Sequence, residues 1–200
     1  MAVTKFPFDW KKHFVSEENS EDCIPSCLAM AGLYWRSIDK SLRIPSKREE
    51  WASILEKMHV HSHRGTNLMM LRNILKTKAK GLSLKLIQPK KLADLTKLFE
   101  FTPPIPVILC YDRAMVINNI EGPNHASLVF SIDLTREQIK VVDPSQIYRE
   151  TPMTYNQDDF IRGWNQVQNQ AILVHPTKIR LPINTRDRDS SHTLNNWSKE

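Results

Sequence analysis

The run from Pro25 to Trp35, PSCLAMAGLYW, constrains this chain more than any other stretch. Proline suits the first turn of a helix, and Cys27, Leu28, Ala31 and Trp35 recur at helical spacing, while small and apolar residues fill most of the positions between them. A helix apolar on almost every side has no face to offer water and belongs inside a core. The rest of the chain must wrap it, and 200 residues suffice for one domain with room for a real core.

The flanking segments indicate what does the wrapping. A second helix is predicted to start at Ser46, where SKREEW places a cap residue three positions before Glu49, followed by Trp51, Ile54, Leu55 and Met58. A third spans about Asn67 to Lys80, with Gly81 as its terminator. Beyond it the period changes to that of strands: LSLKLI alternates from Leu82 to Ile87, IPVILCY is a buried strand, and HASLVFSIDL and QIKVVD form two more. PKKLADLTKLFEF is a short helix, NQDDFIRGWN a helix capped by Asn156, and AILVHP a closing strand. Helices followed by a sheet make an α+β domain, N-terminal helices packed on an antiparallel sheet, expected over residues 1–176. Residues 177–200 are polar with isolated apolar side chains and are expected to form a flexible tail.

Composition removes several function classes. No window approaches the roughly 18 consecutive apolar residues of a membrane span, and the first residues lack the apolar core and cleavage site of a secretory signal. A cytoplasmic address is expected. Three cysteines, Cys23, Cys27 and Cys110, give an odd number without framework spacing, so free thiols are expected. The net charge of +6 comes from 28 basic and 22 acidic residues that are scattered and often alternate in sign. No basic stripe with interleaved aromatics accompanies it, which argues against nucleic acid as a partner.

Reactive groups are few. Cys23 precedes Pro25 at a helix N-terminus, where unpaired backbone N–H groups and the helix dipole stabilise a thiolate. Cys27, one turn deeper in the apolar run, is expected to be an inert packing residue. A partner base is offered by His125 at the start of one strand, and Asp143 ends the strand that returns. The two lie 18 residues apart, and a three-residue loop over Leu134–Arg136 would put them on one face of the hairpin, whereas two or four loop residues would point them apart. A thiolate that attacks a carbonyl, an imidazole that moves the proton and a carboxylate that orients the imidazole form a working set for acyl transfer. Elsewhere HVHSH, with His59, His61 and His63, is expected to be a polar turn, since no adjacent acid or cysteine completes a metal set. No metal and no cofactor are expected. His13 and His175 are expected at the surface or a sheet edge. The acids Glu17, Glu18, Glu21 and Asp22 complement the helix N-terminus or select a basic substrate.

Taken together, DCIPSCLAM, GTNLMMLRNILKTKAKGLSLKL, IPVILCY, NHASLVF, VVDPS and DDFIRGWNQVQNQAILVHP follow in an order that resembles the papain-like cysteine peptidases that process double-glycine leaders of bacteriocins. The resemblance covers about Glu17 to Pro176. It implies a papain-like fold and a cysteine peptidase that cleaves a peptide or protein through a thioester, after a Gly-Gly leader in that family. By position, Cys23 is implied as nucleophile, His125 as base and Asp143 as orienting acid. The chain departs from the pattern at Glu17, where the family has a glutamine that helps hold the oxyanion, and Asn19 is the neighbouring candidate for that task. Ile24 replaces a usual glycine, and the stretch from Arg36 to Arg64 is longer than expected. An ionised carboxylate donates no hydrogen bond, so an impaired module that binds leader-like peptides is the alternative function.

Overall fold

The computed structural model describes residues 3–62, 65–66, 82–145 and 152–179. The apolar run forms helix α2 (Cys23–Ile38), preceded by a short strand β1 (Thr4–Lys5) and a single-turn helix α1 (Trp10–His13). Helix α2 begins two residues before the predicted Pro25, because a proline in the first turn removes an N–H that has no intrahelical partner there. Twelve of its sixteen residues are buried, as its all-round apolar character requires. Trp35 donates its indole N–H to the Val174 carbonyl at 2.8 Å, fixing the far end of the helix to the sheet. Gly32 sits where a Cβ would lie 2.3 Å from the Pro45 carbonyl, so only glycine allows the following loop to cross α2 this closely.

Helix α3 (Arg48–Lys57) starts later than predicted. The Ser46 hydroxyl accepts from Arg36 at 2.7 Å, and Lys47 rather than Ser46 takes the cap position. Glu50, not Glu49, reaches back to the N–H groups of Ser46 and Lys47. The predicted helix over Asn67–Lys80 and residues 180–200 of the predicted tail lie outside the described residues.

Strands β4 (Leu82–Ile87), β5 (Val107–Asp112), β6 (Asn124–Asp133), β7 (Gln138–Val142), β8 (Met153–Asn156) and β9 (Ala171–Pro176) form an antiparallel sheet in the order β4-β9-β5-β6-β7-β8, and β1 adds to β6. Helix α4 (Ala93–Phe99) links β4 to β5, α5 (Arg113–Asn118) follows β5, and α6 (Gln157–Gln166) lies between β8 and β9. Asn156 caps α6 as predicted, its side chain accepting from the Asp158 N–H at 2.9 Å. All six positions of β5 are buried, so both faces of the sheet centre are covered. Tyr111 packs on Phe160 of α6, and Cys27 of α2 lies against the Ala126 carbonyl of β6. The α+β expectation holds, whereas the edge placement of two histidines does not. β9 runs between β4 and β5, which buries His175, and His13 is buried beside Phe8. Among the described residues no helix is long and apolar enough to cross a membrane.

Candidate active site

Cys23 is the first residue of α2, and the sequence before it is held from outside rather than by a cap. The Asp22 side chain makes no capping bond. Its two oxygens instead face His61 Nε2 at 3.4 Å and Arg48 at 3.5 Å. Arg48 also binds Glu18 at 2.5 Å and Glu49 at 2.9 Å. His61 belongs to a small hairpin of β2 (His61–Ser62) and β3 (Gly65–Thr66), and its Nδ1 lies 2.8 Å from the Thr66 hydroxyl. Glu18 and Asp22 before α2 are thus engaged by neighbours, and His61 is a buried partner of Asp22. His59 is exposed, and His63 lies outside the described residues.

The opposite wall is the β6–β7 hairpin. Its loop has four residues, since Asp133 pairs with Gln138, and a regular ladder from there would separate His125 from Asp143. A β-bulge between Val129 and Ser131 absorbs one residue, so that Leu128 pairs with Val142. One step further along this register, Asp143 faces Ser127, which shares its side of the strand with His125. The predicted three-residue loop is therefore wrong, and the bulge restores the same-face geometry it was meant to supply. His125 Nε2 and Asp143 Oδ1 are 2.9 Å apart, and the same oxygen accepts from the Ser145 N–H at 2.8 Å. Arg113, which begins α5, approaches the other oxygen at 3.9 Å.

The two walls meet at three side chains. Ligating atoms of Glu17, Cys23 and His125 all lie within 4.8 Å of one another. With Nε2 engaged by Asp143, Nδ1 is the ring nitrogen left for the Cys23 thiol of the same cluster. Burial works against a charged ring at His125, but the bonds and charges of Asp143 and Cys23 outweigh it, and its pKa is pushed up to about 10. Asp143 is buried too, yet His125, the Ser145 N–H and Arg113 hold its carboxyl below the usual range. Burial raises the Glu17 carboxyl above its ordinary value, partly offset by His125 and Arg113 and reinforced by Asp143 and Asp22. The Glu17 main chain is tied across the cleft, its N–H donating to the Pro144 carbonyl at 2.8 Å. Asn19 is exposed in the turn before α2, its carbonyl accepting from the Asp22 N–H. Cys27 and Cys110 are free and fully enclosed, and burial pushes both thiols well up, as expected of packing residues.

No protein-family model matches the chain, and no curated protein matches it by sequence. Solved structures do match. The peptidase domain of Streptococcus ComA, a bi-functional ABC transporter involved in a quorum-sensing pathway, aligns with a TM-score of 0.53 at 17% identity, covering 81% of this chain and 96% of that domain. A C39-like peptidase from Bacillus anthracis aligns with a TM-score of 0.56 at 14% identity, covering 87% and 98%. The fold is that of the papain-like peptidases.

Within this papain-like fold, several residues around the site went unnoticed in the sequence. Arg113 follows Asp112, which caps α5 through the Met115 N–H at 2.9 Å and also accepts from the Gly122 N–H at 2.8 Å. An aspartate ending an apolar strand was the available signal for that helix. Arg48 and His61 carry no such signal, because only the tertiary fold brings them to Asp22. Tyr111 stands edge-on to His125 at 5.8 Å and shares a 2.9 Å hydrogen bond with Ser127, a contact set by β5–β6 pairing.

Proposed function

We propose that the protein is a cysteine peptidase in which Cys23 is the nucleophile, His125 the proton carrier and Asp143 the residue that orients it. The observation that supports this most is the buried His125–Asp143 bond, which leaves the other ring nitrogen for Cys23, a cysteine on a helix N-terminus in the same three-residue cluster. In this reading the Cys23 thiolate adds to the carbonyl carbon of a peptide bond. The His125 imidazolium gives its proton to the departing amine, leaving a thioester. The neutral ring then takes a proton from water, which attacks the thioester and frees the thiol. Asp143 stays ionised throughout, fixing the tautomer and stabilising the charged ring.

The oxyanion is the unusual part. The N–H of Cys23 is one of the unpaired donors of the first helical turn. The Glu17 carboxyl lies within 4.8 Å of the Cys23 sulfur, and as a neutral carboxyl, favoured by its raised pKa, it has one O–H to donate. A cavity of about 420 Å³ lined by Phe14, Val15, Glu17, Glu18 and Arg48, among others, leads along this side and has room for a peptide segment. The resemblance implies cleavage after a Gly-Gly pair, so peptides carrying that pair at the scissile bond are the first substrates to test.

The test compares the wild-type chain with Cys23→Ala by mass spectrometry of a peptide panel and of the protein. Cleavage with a transient acyl adduct on Cys23, lost on substitution by on the order of 10⁶-fold, is expected. If both proteins cut nothing while both bind the same peptide, the peptidase reading fails and the peptide-binding module takes its place.

A further inference from the structure

The three groups where the walls meet are chemically those of a zinc site. They comprise one thiol, one imidazole and one carboxylate, with donor atoms all within 4.8 Å of one another. A tetrahedral zinc with bonds of about 2.0–2.3 Å needs its ligands roughly 3.5 Å apart, so a closure of at most about 1.3 Å, from 4.8 Å, forms the set. The imidazole is already placed as zinc-binding imidazoles usually are. Its outer nitrogen is bonded to a carboxylate, Asp143, which receives a further bond from the Ser145 N–H. An amide in place of Glu17 would leave only two good ligands, since zinc sites draw on thiolate, imidazole and carboxylate.

We propose that Glu17, Cys23 and His125 bind a single Zn²⁺ ion, with Asp143 orienting the histidine and the fourth position open to water, and that the bound metal reversibly blocks the thiol. The blockade follows from coordination: a ring nitrogen that holds the metal has no lone pair left for a proton, and a thiolate that shares its negative charge with zinc is a weaker nucleophile toward a carbonyl. The metal site rests on the same residues as the peptidase reading but not on turnover.

The experiment is equilibrium dialysis of the full chain with Zn²⁺ in the absence of peptide, repeated with Co²⁺ for its thiolate charge-transfer absorption. One zinc per chain is expected, with a cobalt–thiolate band and with Cys23 protected from iodoacetamide. Asp143→Asn should weaken binding by about 10–100-fold, as for other orienting carboxylates. Glu17→Gln should weaken it at least as much, with Cys23→Ser abolishing the cobalt band, and circular dichroism reports whether each variant is folded. Binding that is absent, or unchanged in folded Glu17→Gln, overturns the proposal. Loss in His61→Ala with retention in Glu17→Gln also overturns it, since that places the metal at the His59–His61 turn. A chain that binds zinc and still cleaves nothing after the metal is removed with EDTA supports this site while overturning the peptidase reading, and one that cleaves but binds no zinc does the reverse.

Discussion

The two walls of the cleft are built on different terms. On the β6–β7 wall, His125 and Asp143 are positioned by strand register, are buried, and hold each other through a bond whose acceptor has a second backbone donor. On the α2 wall, Cys23 is set by the start of a helix, while Glu17 lies in an irregular segment tied by one main-chain bond to Pro144 and by Arg48 acting on its neighbours. Register errors are expensive because a one-residue slip turns every side chain to the other face. A loop segment can shift by fractions of an ångström with little penalty. The half that would move the proton is thus rigid by construction, and the half that would hold the oxyanion is adjustable.

The largest loss after removal of Cys23 is expected from the rigid wall. Asp143→Asn keeps the shape but exchanges an acceptor-only carboxylate for an amide, and it leaves the imidazolium without its charged partner. Turnover of a cleavable peptide should fall by about 10⁴-fold, as for comparable orienting acids. A drop of tenfold or less would mean that register alone orients His125, and the comparison would lose its electrostatic half.

How much of this was legible in the sequence depends on which wall is considered. Cys23 at a helix N-terminus could be read from the proline and the apolar run, both of which are local. The pairing of His125 with Asp143 could be read only as a parity argument, and it came out right through two compensating departures, a fourth loop residue and a bulge near Phe130. Nothing in Val129-Phe130-Ser131 marks a bulge, because those residues are equally at home in a regular strand. The depth of His175 was missed because it depends on β9 lying between β4 and β5, a long-range pairing that periodicity does not encode. The Glu17 position was picked out by the resemblance alone, and its meeting with His125 is visible only in three dimensions.

The adjustable wall is sharpened by Glu17→Gln. In the wild type only the protonated carboxyl can donate to the oxyanion, so activity should fall as pH rises through the raised Glu17 pKa. Glutamine donates at every pH. The variant should therefore be faster at neutral pH by about 10²-fold, the range seen when a single oxyanion donor is removed, and its profile should lack the Glu17 limb. Paired pH–rate curves of kcat/KM check both points. An unchanged rate and profile would show that the Cys23 N–H and another donor, such as Asn19, hold the oxyanion without Glu17.

The smallest effect is expected where the adjustable wall is clamped. Arg48 is nearly covered and faces three acids, of which Glu18 and Glu49 are about two-thirds exposed, at 66% and 67%, whereas Asp22 is at 13%. Exposed pairs contribute roughly 0–1 kcal/mol each, so most of the clamp's worth lies in the Asp22 contact beside Cys23. Arg48→Met keeps the buried stem and removes the charge. Asp22 retains His61 as a partner at 3.4 Å, which limits the damage. The melting temperature should drop by about 2–4 °C, corresponding to roughly 1 kcal/mol in a chain of this length. The KM for peptide should rise more than kcat falls, because the clamp shapes the groove beside Glu17 and leaves His125 and Asp143 in place. A loss confined to kcat would instead mean that Arg48 acts through Asp22 on Cys23 itself, and the α2 wall would then be as rigidly coupled to the chemistry as the sheet wall opposite.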